Sequence, residues 1–100
     1  MAAHPVHLAL EGNDLAIDWS DGRRLRYSAA RLRHACPCAA CNVARAQHAP
    51  LYDELAYPPG QLRIRRMTPA GNYAYHIAFS DGHDTGIYSL PLLARLGAPA

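Results

Sequence analysis

Tyr73-Ala74-Tyr75-His76-Ile77-Ala78-Phe79-Ser80-Asp81-Gly82 is the stretch on which the fold reading turns. Tyr73, Tyr75, Ile77 and Phe79 alternate with Ala74, His76, Ala78 and Ser80, so an extended chain here has one large apolar face and one small or polar face. A period of two marks a half-buried β-strand. Asp81-Gly82 follows as a tight turn, because glycine adopts φ > 0 at no steric cost. Thr85 to Tyr88 supplies the returning strand. Ser89 then reads as the N-cap of a helix carrying Leu90, Leu92, Leu93 and Leu96, which Gly97 ends.

The phrase aromatic-Ser-Asp-Gly occurs once before, at Trp19-Ser20-Asp21-Gly22. Leu15, Ile17 and Trp19 alternate ahead of it, Leu25 and Tyr27 return after it, and Ser28 caps a short helix through Leu32 and Arg33. Val6, Leu8 and Leu10 alternate upstream, and Gly12-Asn13-Asp14 turns the chain into Leu15, which predicts a three-stranded antiparallel meander. Residues 42–48 suit a helical turn, and Pro50, Pro58, Pro59 and Gly60 mark a loop. Leu62, Ile64 and Met67 suggest a further strand whose exposed face carries Arg63 and Arg65. The expectation is one α+β domain over residues 1–100: a compact antiparallel β-sheet domain of two hairpin-plus-helix units, two or three short helices and a zinc knuckle.

Composition narrows the function. Half of the 100 residues are hydrophobic, enough for a core. A domain this small buries only about two-thirds of its unfolded surface, so a metal clip is a useful addition. The formal net charge is +2, too weak to imply nucleic acid or an anionic membrane. All ten basic residues are Arg, without a dense basic stripe. No apolar run approaches the ~20 residues of a membrane helix. Met1-Ala2-Ala3-His4-Pro5 has no basic segment followed by an apolar stretch, so a cytoplasmic location is expected.

The strongest chemical signal is Cys36-Pro37-Cys38-Ala39-Ala40-Cys41. Three cysteines, an odd number crowded into six positions, make a poor disulfide framework and read better as ligands or reactive thiols. Thiolates bind Zn²⁺ at ~2.3 Å, and a tetrahedral site needs a fourth ligand. Six histidines compete for that place. His83 is the best candidate, because it directly follows the Asp81-Gly82 turn, where a sheet holds it still. His34, two residues before Cys36, is the runner-up. His48 lies in a loop, His76 is mid-strand, and His4 and His7 are near a terminus. Recruiting His83 closes a loop of roughly 40 residues, a cost that grows slowly with length. Apparent structural-zinc affinities of about 10–16 kcal/mol outweigh it.

Other chemistries stay open with less support. Three Cys and one His could hold a [2Fe–2S] cluster, although such clusters usually want wider ligand spacing. Cys38 and Cys41 could cycle as a dithiol, or Cys36 or Cys38 could act with His34 as base. A thioredoxin-like context and a Gly-rich phosphate loop are both missing. His83 and Asp84 are adjacent, which does not suit a two-His-one-carboxylate iron site. Asp21 and Asp81 read as turn acids that bond backbone.

Leu32-Arg33 ahead of Cys36-Pro37-Cys38-Ala39-Ala40-Cys41, then Gly71-Asn72-Tyr73-Ala74, then Phe79-Ser80-Asp81-Gly82-His83-Asp84-Thr85-Gly86-Ile87-Tyr88-Ser89, resemble the gamma-butyrobetaine hydroxylase-like N-terminal domain family. The likeness spans about Leu8 to Leu96. It implies a β-rich module in which Cys36, Cys38, Cys41 and His83 bind zinc. In the two-domain oxygenases of carnitine biosynthesis, the iron and 2-oxoglutarate site lies in the other domain, so hydroxylase activity does not carry over and no enzyme is expected. Related domains are fused to P-loop ATPases that carry iron–sulfur clusters. The resemblance therefore implies an accessory domain with a protein partner, an oxygenase domain or an iron–sulfur carrier ATPase, and a place in iron–sulfur protein maturation; a third reading is a metal-independent interaction scaffold that meets such a partner through the face carrying Arg63 and Arg65.

Overall fold

Two turns with the same backbone set the architecture. Gly22 and Gly82 sit at φ +91° and +87°. In the first turn the Trp19 amide donates to Arg23 O at 2.8 Å and the Gly22 amide to Trp19 O at 3.0 Å. In the second, the Phe79 amide donates to His83 O at 2.9 Å and the Gly82 amide to Phe79 O at 3.1 Å. The computed structural model describes residues 3–53, 55–58 and 60–99. Around these turns lie β1 (Pro5–Glu11), β2 (Asp14–Trp19), β3 (Arg24–Ser28), α1 (Ala29–His34), α2 (Ala39–Ala46), β4 (Ile64–Ala70), β5 (Ala74–Phe79), β6 (Gly86–Ser89), α3 (Leu90–Leu96) and β7 (Ala98–Pro99).

The antiparallel order is β1-β2-β3-β7 in one sheet and β4-β5-β6 in the other. The two units are therefore meander-plus-helix copies, with α2 and the cysteines inserted between them. Their details repeat. Gly12 and Gly71 turn the first hairpins, both at φ +65°. Ser28 and Ser89 cap α1 and α3, their hydroxyls accepting from Arg31 and Leu92 amides. β1 and β4 each carry a register shift, between Pro5 and His7 and between Ile64 and Arg66.

Inner faces of both sheets feed one core. Leu15, Ile17 and Trp19 from β2 and Leu25 and Tyr27 from β3 meet Ile77, Phe79 and Tyr88, with Leu32 of α1 and Leu93 of α3 closing over them. Fully burying one such side chain contributes roughly 1.5–3 kcal/mol. Two phenols cross-link the copies: Tyr27 Oη donates to Leu93 O at 2.7 Å, and Tyr88 Oη donates to Leu32 O at 2.6 Å. Each strand tyrosine thus holds the helix of the other unit. Burial pushes the Tyr27 pKa up to about 12 and raises that of Tyr88 further.

The expected α+β fold and both N-caps are present, with three departures. Tyr73 is 68% exposed and outside β5, because the tight turn lifts it off the sheet and lays its ring over Gly71. The inward step from Ile64 to Met67 breaks the two-residue period because of the β4 bulge. Leu62 is buried but precedes that strand. As expected, Gly97 ends α3, and its extended conformation (φ −74°) leads into β7. A Cβ there would come within 2.6 Å of Leu25 Cβ and 2.8 Å of the Tyr27 ring. The expected loop lies in residues 47–53, 55–58 and 60–63, and Pro59 lies outside the described residues.

Tyr88→Phe removes one inter-unit hydrogen bond and leaves the ring's packing intact. Urea denaturation is expected to show a loss of about 1–2 kcal/mol. Unchanged stability in both Tyr88→Phe and Tyr27→Phe would contradict the cross-linking role.

Candidate metal centre

Three short pieces of structure aim four side chains at one point. Helix α1 ends at Ala35 and delivers Cys36, which is fully buried. Cys38 is the N-cap of α2, in an extended conformation (φ −65°, ψ 158°), and its sulfur accepts from the Cys41 amide at 3.5 Å. Cys41 lies in the first turn of α2 and is 3% exposed. The loop is pinned by Arg45, which donates to His34 O at 2.8 Å and Cys36 O at 2.6 Å, and by Asn42, which donates to Pro37 O at 3.1 Å. From the opposite side the β5–β6 turn brings His83. Its amide donates to Asp81 Oδ1 at 3.0 Å, which sets the turn.

His83 Nε2 lies 3.1 Å from Cys36 Sγ and 3.5 Å from both Cys38 Sγ and Cys41 Sγ. All four donor atoms fall within 4.8 Å of one another. Bond lengths of about 2.3 Å to sulfur and 2.0 Å to nitrogen, at tetrahedral angles, put nitrogen and sulfur roughly 3.5 Å apart. The donor set therefore fits a single four-coordinate ion, and these residues could hold a metal. Among the described residues, this is the one cluster of its kind found.

The other histidines stand apart. His34 is exposed, its ring 5.3 Å from that of Tyr52. His48 is exposed at φ +56°. His76 contacts Asp84 O through Nε2. The His4 amide donates to Ser20 Oγ at 3.0 Å, and His7 is exposed on β1.

Surroundings that the sequence reading passed over complete the site. Arg33 is 3% exposed. Its Nε donates to Asp81 Oδ2 at 2.9 Å, its Nη1 to Cys41 Sγ at 3.2 Å and its Nη2 to Leu51 O at 2.6 Å. Burial disfavours the guanidinium charge, but Asp81 and Cys41 outweigh it and raise the Arg33 pKa. Were a divalent ion held there, three thiolates would exceed its charge by one, and the Arg33 guanidinium beside Cys41 would offset that excess. Gly86 is buried against the site: a Cβ there would lie 2.7 Å from Cys36 Sγ. Burial pushes the Cys36 thiol up to about 12. A hydrogen bond from the Thr85 hydroxyl, aided by the Cys41 amide, brings Cys38 down to about 6.

The repeat offers the signal that would have found these residues. In the first turn, Asp21 takes the Arg23 amide on Oδ1 at 3.1 Å and the same residue's Nε on Oδ2 at 2.7 Å. In the second, the matching residue is His83, so Oδ2 of Asp81 is released to Arg33. A histidine where the first copy has arginine, and an arginine in α1 where α3 has Ala94, are the two differences that build the site.

Two outcomes follow. Arg33→Met leaves the nearly buried Asp81 carboxylate unpaired and is expected to cost about 3–5 kcal/mol in denaturant titrations, with much of that recovered by adding Asp81→Asn. A loss under about 1 kcal/mol would contradict the ion pair's role. Metal affinity should fall as pH falls, because Cys36 surrenders its proton on loading. The lowered pKa of Cys38, about 6, lets its thiol give up a proton more readily than the buried Cys36 thiol. Competition titrations with a chelating dye should show affinity weakening as pH falls; an affinity independent of pH would contradict ligation by these thiols.

Comparison with known proteins agrees with this fold. The family model for "gamma-butyrobetaine hydroxylase-like, N-terminal" matches residues 6–94. A protein of unknown function from Acidithiobacillus ferrooxidans, described as belonging to the DUF971 family, superposes with a TM-score of 0.70 at 29% identity, covering 92% of this chain and 90% of that one. A second protein, solved by NMR in solution, superposes with a TM-score of 0.68 at 27% identity, covering 96% of this chain and 70% of that one. No curated protein matches. With a matched segment that holds both units and all four donors, the chain belongs to the gamma-butyrobetaine hydroxylase-like N-terminal family.

Proposed function

We propose that Cys36, Cys38, Cys41 and His83 hold one Zn²⁺ in a closed tetrahedral site, and that the domain works as a non-catalytic accessory module for a protein partner. The observation that carries this reading is the convergence of three sulfurs on His83 Nε2 at 3.1–3.5 Å. Four protein ligands satisfy zinc's usual coordination and leave no position for a substrate, which distinguishes structural from catalytic sites. Zinc there would supply no redox chemistry. It would tie α1, α2 and the β5–β6 turn into one unit.

The same spacing favours zinc over a two-iron cluster, whose ligands are divided between two metals and two bridging sulfides. Partly exposed Cys38, with its lowered pKa, supports a thiol-redox reading less strongly, because its neighbours Cys36 and Cys41 are buried. None of the helices described is long and apolar enough to cross a membrane. Zinc-bound thiolates suit a reducing compartment, so we place the domain in the cytoplasm. Resemblance to domains fused to iron–sulfur carrier ATPases suggests iron–sulfur protein maturation as the setting, with such an ATPase or an oxygenase domain as partner.

Metal analysis of protein purified anaerobically tests the reading. One equivalent of zinc is expected, lost in Cys36→Ser and in His83→Ala. Stoichiometric iron with sulfide and visible absorbance would overturn it in favour of a cluster.

A further inference from the structure

The two sheets repeat in backbone and differ in how their outer faces handle charge. On the first sheet every acid is answered. Glu11 pairs with Arg26 at 2.9 Å and Arg24 at 3.6 Å, Asp14 with Arg26 at 3.7 Å, Asp18 with Arg24 at 3.3 Å and Asp21 with Arg23 at 2.7 Å. The ladder register makes this possible, since Asp18 faces Arg24 across β2 and β3 while Glu11 faces Asp14 across β1 and β2. That face is closed on itself.

The second sheet has no such ladder. Arg63, Arg65 and Arg66 are all exposed, and among the described residues none of their side chains has an acidic partner. Arg65 and Arg66 border a trough of about 310 Å³ whose other lining residues are Ala78, Phe79, Gly82 and Asp84. Register places Arg66 beside Ala78, and Thr68, His76 and Ile87 in one row across the same face. Ile87 is 54% exposed. Three of the arginines that lack an acidic partner among the described residues thus share one face, beside a polar depression that Asp84 also borders and an uncovered apolar side chain. The trough also abuts the metal centre, for Gly82 and Asp84 flank His83.

We propose that the outer face of the β4–β5–β6 sheet docks an acidic segment of a partner protein, with a carboxylate entering the trough between Arg65 and Arg66 and an apolar side chain covering Ile87. This rests on the reading of the domain as an accessory module and adds the surface and the partner's chemistry. Charge complementarity selects the occupant: unpaired guanidinium groups favour carboxylates, with which they form forked, charge-assisted hydrogen bonds. Such charges at the margin of an interface chiefly govern on-rate and salt dependence. A protein segment fits better than nucleic acid, because three arginines and an exposed isoleucine make a short mixed patch, not a phosphate-tracking stripe.

The test uses the full chain loaded with zinc and a fluorescent peptide of alternating Glu and Ser around one central Leu. Controls are the same peptide with Lys for Glu and a thymidine oligonucleotide of equal length. Anisotropy at low salt should show binding of the acidic peptide and none of the basic one. The double substitution Arg65→Ala with Arg66→Ala should weaken binding at least about tenfold, Ile87→Ser by less, and the distant Arg95→Ala by no more than about twofold. Zinc content is measured in the same samples. Retained zinc with lost binding supports the docking face. Zinc present with no binding, or binding unchanged by the double substitution, overturns the docking proposal and leaves the metal reading standing. Tighter binding of the oligonucleotide through the same arginines overturns it in favour of a polyanion site. Loss of zinc from the unaltered protein overturns the metal reading instead.

Discussion

Arg33 is the group through which the two halves of this domain are committed to one another. A guanidinium with almost no solvent access must find partners for its donors, and it finds them in three places: the Asp81 carboxylate, the Cys41 sulfur and the Leu51 carbonyl. These belong to the turn of the second sheet, to helix α2 and to the loop that follows it. Removing a charge from water costs several kcal/mol unless it is paired and hydrogen-bonded. The position of each partner is therefore tightly constrained by the others, and the histidine turn is held against the cysteine loop from beneath.

The site reads as a departure from an internal repeat. Strand by strand, β1–β2–β3–α1 matches β4–β5–β6–α3, down to the paired serine caps and the reciprocal tyrosine hydrogen bonds. In the first unit Leu25 faces Ile17, and its side chain packs where Gly97 leaves room. At the matching place of the second unit, Gly86 faces Ile77 and leaves room for Cys36 Sγ. An approach that one copy fills with a leucine is filled in the other by sulfur. With that exchange, and with His83 in place of Arg23, one of two similar turns becomes the one that faces the three cysteines.

Much of this was legible in the residues. Alternation in Leu15–Trp19 and Tyr75–Phe79, both Asp-Gly turns and both serine caps are local signals, and local physics produces them. The four donors were legible as well, because closely spaced thiols and a histidine at a rigid turn are unusual in combination. Features that depend on distant partners were not. Arg33 could be placed at the end of a short helix, but its buried role could not be read, since nothing adjacent to it announces Asp81. Gly86 carried no turn signal, because its role is to admit a sulfur from another element. β7 is two residues long, too short for any period, and exists because β3 offers it an edge. Tyr73 was misplaced in the apolar stripe because its alternation is correct while the turn around it is too tight to keep it on the sheet.

X-ray absorption at the zinc edge of the purified protein addresses the central claim most directly. The account predicts a single shell of three sulfurs at about 2.3 Å and one nitrogen at about 2.0 Å, with no second metal nearby. An oxygen ligand in place of one protein donor, or a shell that keeps its nitrogen in His83→Ala, would contradict it.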